Sequence, residues 1–256
     1  MIDERAVIDA SAKLGRNVSI GPFSVVGADV FIDDGTWIGP HVVINGPSRI
    51  GKQNKIYQFA SLGEIPQDKK YGGEATELVI GNGNSIREYC TINRGTAQGG
   101  GVTRVGDDNW IMAYVHIAHD CIIGTDVIFS NGVTLAGHVQ IDDHAVLGGF
   151  TLVHQFCRIG AYSFCGMGTA LNRDLAPYVA ASGNYAKTYG INKEGLRRHG
   201  FSADTIRALH KAYMTLIKAK SARDEARQTV LDMGKEYPEV RRLVEFIDGS
   251  ERGIVR

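Results

Sequence analysis

The sequence predicts a parallel β-helix built from six-residue repeats, followed by a smaller α-helical part. Two observations predict this fold. An apolar, mostly aliphatic residue recurs at every sixth position through most of the chain, and 32 of the 256 residues are glycine while only 6 are proline. A period of six differs from the period of an α-helix and from the alternation of a half-buried strand. It fits a short strand followed by a corner, with one apolar side chain of each strand inside the coil.

The repeats form three blocks along the chain. The residue after each apolar position is usually Gly, Asp or Asn, which tolerate the left-handed backbone of a tight corner. Three units make one triangular coil of about 18 residues, and successive coils stack at the parallel-strand spacing of about 4.8 Å. The repeated positions are Ile8, Leu14, Ile20, Val26, Ile32, Ile38, Ile44, Ile50, Ile56 and Leu62, then Ile80, Ile86 and Ile92, then Val105, Ile111, Ile117, Ile123, Phe129, Leu135, Ile141, Leu147, Val153, Ile159, Cys165 and Leu171.

Two insertions interrupt the repeat, near residues 64–79 and near residues 98–104. We expect residues 1–186 to form the β-helix with both insertions, and residues 187–256 to form a C-terminal helical domain. A loop that projects from a rigid scaffold is a common place for functional residues.

Beyond the repeats, apolar residues recur at helical spacing across residues 206–217. Ser202 is the predicted N-cap of this helix, and Ser221 with Asp224 forms a predicted capping box for a second helix. Pro238 is expected near the start of a third helix. We expect these helices to cover the open edge of the last coil.

The charges are balanced in number but uneven in place. Residues 1–186 carry 13 basic and 18 acidic side chains, whereas residues 187–256 carry 15 basic and 10 acidic ones. A basic C-terminal part predicts an acidic protein partner, although solvated helix faces would explain the same charges. The neutral total predicts no nucleic-acid partner.

The chain is expected to be a cytoplasmic protein without an integral membrane segment. No run approaches the roughly 18 apolar residues of a membrane-spanning helix, and the charged N-terminal segment lacks the apolar core of a signal peptide. The four cysteines, Cys90, Cys121, Cys157 and Cys165, form no CxxC pair. We therefore expect buried free thiols in a reducing compartment.

Three of the eight histidines are expected to meet on one edge of the coil. His119, His138 and His154 lie in successive layers of one face, within about 10 Å along the axis. Three interpretations are open: polar residues that share a column by accident, a metal site, or a general base among polar substrate-binding residues. Their neighbours are Asp120, Gly137 and Gln155, with His116 just upstream.

The first insertion adds Asp68 and Lys70, an acceptor and a donor that would be solvated charges in a plain loop. With the insertion included, the chain resembles the hexapeptide-repeat acyltransferases that place a 3-hydroxyacyl chain on UDP-N-acetylglucosamine in lipid A synthesis. The resemblance covers nearly the whole chain and rests on IYQFASLGEIPQDKKYGGE, TINRGTAQGGG, HIAHDC, LAGHV, VHQFCRIGA and NKEGLRRHGF. It implies a left-handed coil and a homotrimer with active sites between subunits.

The resemblance also implies roles for individual residues. His119 resembles the general base that takes the proton from the sugar 3-hydroxyl, which attacks the thioester of acyl-carrier protein. Asp120 would stabilise the imidazolium, and the backbone N–H of Gly137 would stabilise the oxyanion. The implied substrate contacts are Asp68, Lys70 and His138 for the sugar, His116, His154 and Gln155 for the nucleotide or acyl chain, and Asn192, Glu194 and Arg198 for uridine and pyrophosphate.

Met167 occupies the position where, in that family, a side chain ends the acyl groove. Met would fill the space of several methylenes, so shorter chains near ten carbons are expected, although a plain core filler is the alternative. The family commonly has His where this chain has Asn93. We expect Asn93 to lie away from the histidine column.

No cofactor or metal is expected, because the thioester is already activated. The alternatives are the same transfer to a 3-amino sugar nucleotide, and a metal-binding enzyme of the γ-carbonic-anhydrase type. The acidic carrier protein fits the basic helical part, with contacts predicted at Arg197, Arg198, Arg207 and Lys211.

Overall fold

The computed structural model describes the backbone of residues 1–219 and 223–256 and the side chains of residues 1–219 and 227–256. It confirms the predicted β-helix. Twenty-seven strands, most of two residues, follow one another along these residues. They are β1 (Val7–Ile8), β2 (Lys13–Leu14), β3 (Ser19–Ile20), β4 (Val25–Val26), β5 (Val30–Ile32), β6 (Trp37–Ile38), β7 (Val43–Ile44), β8 (Ser48–Ile50), β9 (Lys55–Ile56), β10 (Ser61–Glu64), β11 (Glu77–Ile80), β12 (Ser85–Ile86), β13 (Thr91–Asn93), β14 (Val102–Val105), β15 (Trp110–Ile111), β16 (His116–Ile117), β17 (Ile122–Ile123), β18 (Ile128–Phe129), β19 (Thr134–Leu135), β20 (Gln140–Ile141), β21 (Val146–Leu147), β22 (Leu152–Val153), β23 (Arg158–Ile159), β24 (Phe164–Cys165), β25 (Ala170–Leu171), β26 (Val179–Ser182) and β27 (Lys187–Ile191).

From β1 to β25, every third strand lies in the same parallel sheet, so the coil has three flat faces. At the end of the third face, β27 pairs with β26 in the antiparallel direction. Face 1 contains nine strands beginning with β1, face 2 contains eight beginning with β2, and face 3 contains ten beginning with β3. The coil is left-handed. Within each face, the repeated apolar residues pair directly, as Ile20 with Ile38 and Ile117 with Leu135.

The interior of the coil is a column of these repeated side chains, most of them fully buried. The corners between faces hold non-glycine residues with positive φ, such as Asp120 at 61° and His138 at 60°. Asp, Asn and His are the residues that tolerate this conformation best. All four cysteines are buried free thiols, as expected.

Both insertions leave the coil at face 1 and return at face 2. The first lies between β10 and β11, and the second contains a short 3₁₀-helix, Ala97–Gly99, before β14. Because β11 and β14 pair from Glu77↔Val102 to Ile80↔Val105, the two loops enter neighbouring coils side by side.

The C-terminal helices are α1 (Lys193–Arg198), α2 (Ala203–Tyr213) continued by a π-helix (Met214–Lys218), α3 (Arg223–Met233) and α4 (Pro238–Asp248). Ser202 caps α2 by accepting from the N–H of Thr205, and Pro238 begins α4, both as predicted. Ser221 lies outside the described residues. The bridge between Asp174 and Ile254 returns the C-terminal tail to the coil.

The predicted boundary between residues 186 and 187 stays a prediction. In the structure, β27 still pairs with β26 on face 3, and the first helix begins at Lys193. Among the described residues, no helix has the length and apolar character to cross a membrane.

Candidate active site

His119 and Asp120 occupy the corner between faces 1 and 2, between β16 and β17. Nδ1 of His119 lies 2.7 Å from Oδ2 of Asp120. The side chain of Asp120 is 1% exposed and that of His119 is 14% exposed. A buried carboxylate at this distance fixes both the orientation and the tautomer of the imidazole. Within the described chain, Nε2 of His119 makes no hydrogen bond and is free to act on a ligand.

The second insertion holds the carboxylate of Asp120 from the other side. The backbone N–H of Thr96 donates to Oδ1 at 2.7 Å, and the Thr96 hydroxyl donates to Oδ2 at 2.7 Å. The backbone N–H of Asp120 donates to the hydroxyl of Thr103 at 2.8 Å. Both carboxylate oxygens and the backbone are therefore fixed.

His138 lies one coil further along the same corner. Its ring contacts that of His119 edge-on, with centroids 5.1 Å apart, and stacks on Phe156 at 4.5 Å. Nε2 of His138 is 3.6 Å from Oδ2 of Asp120. Burial lowers the pKa of His138 below its ordinary value of 6.5, and the charge of Asp120 works in the opposite direction. This histidine therefore tends to be neutral at neutral pH.

Gly137 lies directly against the imidazole of His119. A Cβ at residue 137 would lie 2.8 Å from Nε2 of His119, closer than real Cβ atoms approach. Across residues 1–219 and 223–256, the backbone N–H of Gly137 donates to no protein acceptor. An unpaired backbone N–H is a group that can donate to an oxyanion.

His116 precedes this corner on face 1. Its Nδ1 lies 2.7 Å from the hydroxyl of Thr91 on the neighbouring strand. Burial, and then the proximity of His119, lower the pKa of His116 below its ordinary value. His116 is therefore close to His119, whose ring contacts that of His138.

The first insertion approaches the same corner. The charge of Asp68 acts on the pKa of His138, which indicates that the predicted sugar contact is nearby. Oδ1 of Asp68 accepts from the backbone N–H of Lys70 at 2.9 Å, which orders the turn that carries both residues.

Asn93 corrects an expectation, because it is not distant from the histidines. It directly follows Ile92, whose partner in the neighbouring coil is Ile117, two residues before His119. Its Nδ2 donates to the carbonyl of Ile65 at 2.8 Å and so holds the base of the first insertion.

His154 and Gln155 lie apart from these ring contacts. The position that repeats Asp120 and His138 after 18 residues is Phe156, so His154 falls two residues short of the column. Its Nδ1 instead accepts from Nη2 of Arg252 at 3.2 Å. Both His154 and Gln155 are exposed.

Asn192, Glu194 and Arg198 are not brought to the histidines of the same chain. Asn192 caps α1 by accepting from the N–H of Gly195 at 3.1 Å, and Nε of Arg198 donates to Glu194 at 3.2 Å. With apolar side chains of face 3, including Phe164, they line an open cavity of about 510 Å³. In a triangular coil this face lies opposite the corner between faces 1 and 2.

Met167 lies at the corner between faces 3 and 1 and is 81% exposed, so it is not a core filler. It lies between two and three coils beyond His119, which is about 13 Å along the axis. Its role as the end of an acyl groove stays a prediction.

Two clusters of described residues have the donor atoms for a metal ion. The ligand atoms of His119, Asp120 and His138 lie within 4.8 Å of one another, as do those of a second set, Asp126, His144 and His199. The distinguishing feature of the first set is that both rings approach one carboxylate oxygen.

Three threonines of the site were not predicted from the sequence. Thr91 bonds the ring of His116, Thr96 bonds the carboxylate of Asp120, and Thr103 accepts from the backbone N–H of Asp120. The sequence did contain one indication for Thr96, because this residue stands at the edge of the second insertion, which returns to the coil beside Asp120.

A second open cavity, of about 510 Å³, lies between α1 and α2. Its lining combines apolar side chains with four basic residues, Lys193, Arg197, Arg207 and His210. Arg207 also pairs with Asp204, and Arg197 lies 3.7 Å from Glu194, so part of the charge is compensated.

Comparison with known proteins agrees with this geometry. The profile described as "Udp N-acetylglucosamine O-acyltransferase; Domain 2" matches residues 174–255, and that of the bacterial transferase hexapeptide matches residues 103–137. Two relatives named acyl-[acyl-carrier-protein]–UDP-N-acetylglucosamine O-acyltransferase are 57% identical (Halorhodospira halophila) and 55% identical (Alkalilimnicola ehrlichii). Each alignment covers 100% of this chain and 99% of the relative.

Solved structures give the same result. The UDP-N-acetylglucosamine acyltransferase of Francisella novicida superposes with a TM-score of 0.97 at 42% identity, covering 100% of this chain and 94% of that one. The O-acyltransferase of Moraxella catarrhalis gives 0.96 at 47% identity, with 100% and 99% coverage. The chain therefore belongs to the family of acyl-[acyl-carrier-protein]–UDP-N-acetylglucosamine O-acyltransferases.

Proposed function

We propose that this chain moves a (R)-3-hydroxyacyl group from acyl-carrier protein to the 3-hydroxyl of UDP-N-acetylglucosamine, the first step of lipid A synthesis, with His119 as general base. The observation that carries the catalytic assignment is the free Nε2 of His119, whose Nδ1 is held by Asp120 and whose ring packs against Gly137, a residue with an unpaired backbone N–H within the described chain. A base and an oxyanion donor side by side are what attack on a thioester requires.

The proposed step is a direct transfer. Nε2 of His119 takes the proton of the sugar hydroxyl while that oxygen attacks the thioester carbonyl carbon. The N–H of Gly137 stabilises the tetrahedral oxyanion, and Asp120 stabilises the imidazolium. The C–S bond then breaks, and the imidazolium returns its proton to the departing thiolate. The products are the ester and the free thiol of the carrier protein, so no cofactor is needed.

The cysteines support a mechanism without an acyl-enzyme. Burial raises the pKa of the thiols of Cys90, Cys121 and Cys165 to about 12 and that of Cys157 to about 11. Thiols with such values are almost fully protonated at neutral pH and are poor nucleophiles. We therefore assign none of them to the reaction.

The substrate contacts are proposed from the resemblance to the family. Asp68, Lys70 and His138 would hold the sugar, and His116 would contact the nucleotide or the acyl chain. His154 and Gln155, further along face 1, would contact the nucleotide or the acyl chain. An imidazole that is neutral at neutral pH, such as that of His138, suits a hydrogen bond to a sugar hydroxyl.

The position of Asn192, Glu194 and Arg198 supports a homotrimer with sites between subunits. They lie beside face 3, where they line a cavity with its side chains, whereas His119 lies at the opposite corner, so a second copy is needed to bring the two groups to one substrate. A guanidinium such as that of Arg198 suits a pyrophosphate.

Subunit mixing tests this assembly. Trimers formed from His119→Ala and Arg198→Ala chains should recover transfer activity, because some sites then combine an intact His119 with an intact Arg198 of another subunit. Recovery should be absent when either variant is refolded alone. Mixed trimers as inactive as the parents would contradict a shared site.

The partner that delivers the acyl chain is proposed to be the acidic carrier protein, bound near α1 and α2. The basic residues that line the cavity there, together with Arg198 and Lys211, would attract the acidic carrier protein electrostatically. The rate at low carrier concentration should fall as salt rises from about 50 to about 500 mM, because exposed charges are screened. A cytoplasmic location stays a prediction.

The decisive experiment compares wild type with His119→Ala in transfer from 3-hydroxyacyl-carrier protein to UDP-N-acetylglucosamine. We expect the variant to lose at least about 100-fold in kcat with an unchanged oligomer. His41→Ala, at another corner, is the matched histidine control. Activity only on the 3-amino sugar nucleotide would favour the amide-forming alternative, and a fully active His119→Ala would remove His119 as the base.

A further inference from the structure

The second insertion closes on a single side chain of the site, the carboxylate of Asp120. Thr96 stands where this loop leaves the coil and uses two donors on the two oxygens of Asp120, each at 2.7 Å. We infer that Thr96 is a positioning residue for the reaction, acting on His119 through Asp120. The inference rests on the proposed function of His119 and adds a residue that the family resemblance did not suggest.

The carboxylate of Asp120 has one orientation available. Its Oδ2 accepts from the Thr96 hydroxyl and also faces Nδ1 of His119 at 2.7 Å. Its Oδ1 accepts from the backbone N–H of Thr96. A rotation of the carboxylate would break both bonds to Thr96, so the oxygen that meets the imidazole is fixed before substrate arrives.

Thr96 is itself held rigidly. Its carbonyl accepts from the N–H of Gly99 at 3.1 Å and from that of Gly101 at 2.8 Å, and its hydroxyl accepts from Gly99 at 3.2 Å. The side chain is buried, with 1% exposure of the residue. A Cβ at Gly99 would overlap the carboxylate of Asp120, so the loop lies in contact with it.

Thr96→Val removes the hydroxyl, with its bond to Oδ2 and its longer bond from the N–H of Gly99, whereas the backbone N–H remains. Valine matches the shape of threonine and removes the donor to Oδ2, whereas Thr96→Ser keeps that donor. We expect kcat of Thr96→Val to fall about 10- to 100-fold with KM for the sugar nucleotide nearly unchanged, because geometry and not ground-state binding is affected. Thr96→Ser should stay within about threefold of wild type.

A double-mutant cycle separates positioning from general stabilisation. If Thr96 acts through the carboxylate, Thr96→Val should have little further effect in an Asp120→Asn background. A purely structural role would give the same fold-loss in both backgrounds. Thr151→Val is the matched control, since Thr151 is also buried and its hydroxyl donates to the Gly148 carbonyl at 2.6 Å, away from the histidines.

A measurement without turnover keeps this inference separate from the proposed function. The proton on Nδ1 of His119 should give a hydrogen-bonded resonance in proton NMR that is present in wild type and Thr96→Ser and shifted in Thr96→Val. That pattern in a protein with no transfer activity would support the positioning and reject the reaction. Wild-type kcat together with an unshifted resonance in a folded Thr96→Val would overturn the inference.

Discussion

Oδ2 of Asp120 meets Nδ1 of the residue directly before it, His119, at 2.7 Å. Consecutive residues of an extended chain point to opposite sides, so this contact needs a special backbone. Asp120 provides it with a φ of 61° at the corner between faces 1 and 2. The turn that changes the direction of the coil therefore also assembles the proposed catalytic pair.

Replacing Asp120 by Asn should reduce kcat by at least about 100-fold while the fold stays intact. The amide can donate to Nδ1 of His119, which would leave the proton on Nε2 and block its action as a base. Steady-state transfer rates, with thermal unfolding as the control for folding, check this. Wild-type kcat in Asp120→Asn would show that the tautomer of His119 does not matter.

Gly137→Ala should also lower kcat strongly, because its Cβ would displace the imidazole of His119. A shift of about 1 Å in a reacting group can cost about 100-fold in rate. Gly190→Ala is the matched control, because a Cβ there meets nothing within 4 Å. Equal activity of the two variants would contradict the close packing that assigns Gly137 to the site.

Met167→Gly should move the acyl preference toward longer chains. Removing the side chain opens space at the predicted end of the groove, worth several methylenes. Competition between 3-hydroxydecanoyl- and 3-hydroxymyristoyl-carrier protein, for wild type, Met167→Gly and Met167→Leu, measures the ratio. A wild type that transfers both at equal rates would end the assignment of Met167 as a chain-length ruler.

Stability should fall as the pH drops from about 7 to about 5.5. Burial lowers the pKa of His116 and His138 below 6.5 in the folded protein, so in this range the unfolded chain binds more protons. The free energy of unfolding therefore decreases as the pH falls below about 6.5. The unfolding temperature of the double variant His116→Gln/His138→Gln should depend less on pH than that of wild type. The exposed control His41→Gln should keep the wild-type pH dependence.

Removing metal ions should leave kcat unchanged, because the proposed transfer uses only a base and an oxyanion donor. The test is dialysis against a chelator, followed by assay with and without added zinc. A loss of kcat that zinc restores in wild type but not in His138→Gln would instead favour a metal ion at His119, Asp120 and His138. The ligand atoms of these residues are close enough to hold one.

The sequence by itself determined the coil, because a period of six is local information. Each repeated side chain, such as Ile117, needs only the matching residue one coil away, and that partner follows from the period. The same arithmetic places His119 and His138 in neighbouring layers. The family motifs added candidate roles that no spacing could supply.

Only the tertiary structure decided how the insertions close on the corner. Thr96 reaches Asp120 across a break in the repeat, and Asn93 supports the first insertion at Ile65, contacts that no period predicts. The structure also showed that Phe156, and not His154, stacks on His138. A shift of one or two residues along the chain decides which side chain stands at a given corner. A repeat propagates by nearest-neighbour pairing, whereas loops are set by side-chain hydrogen bonds between residues distant in sequence, and these exist only once the coil has formed.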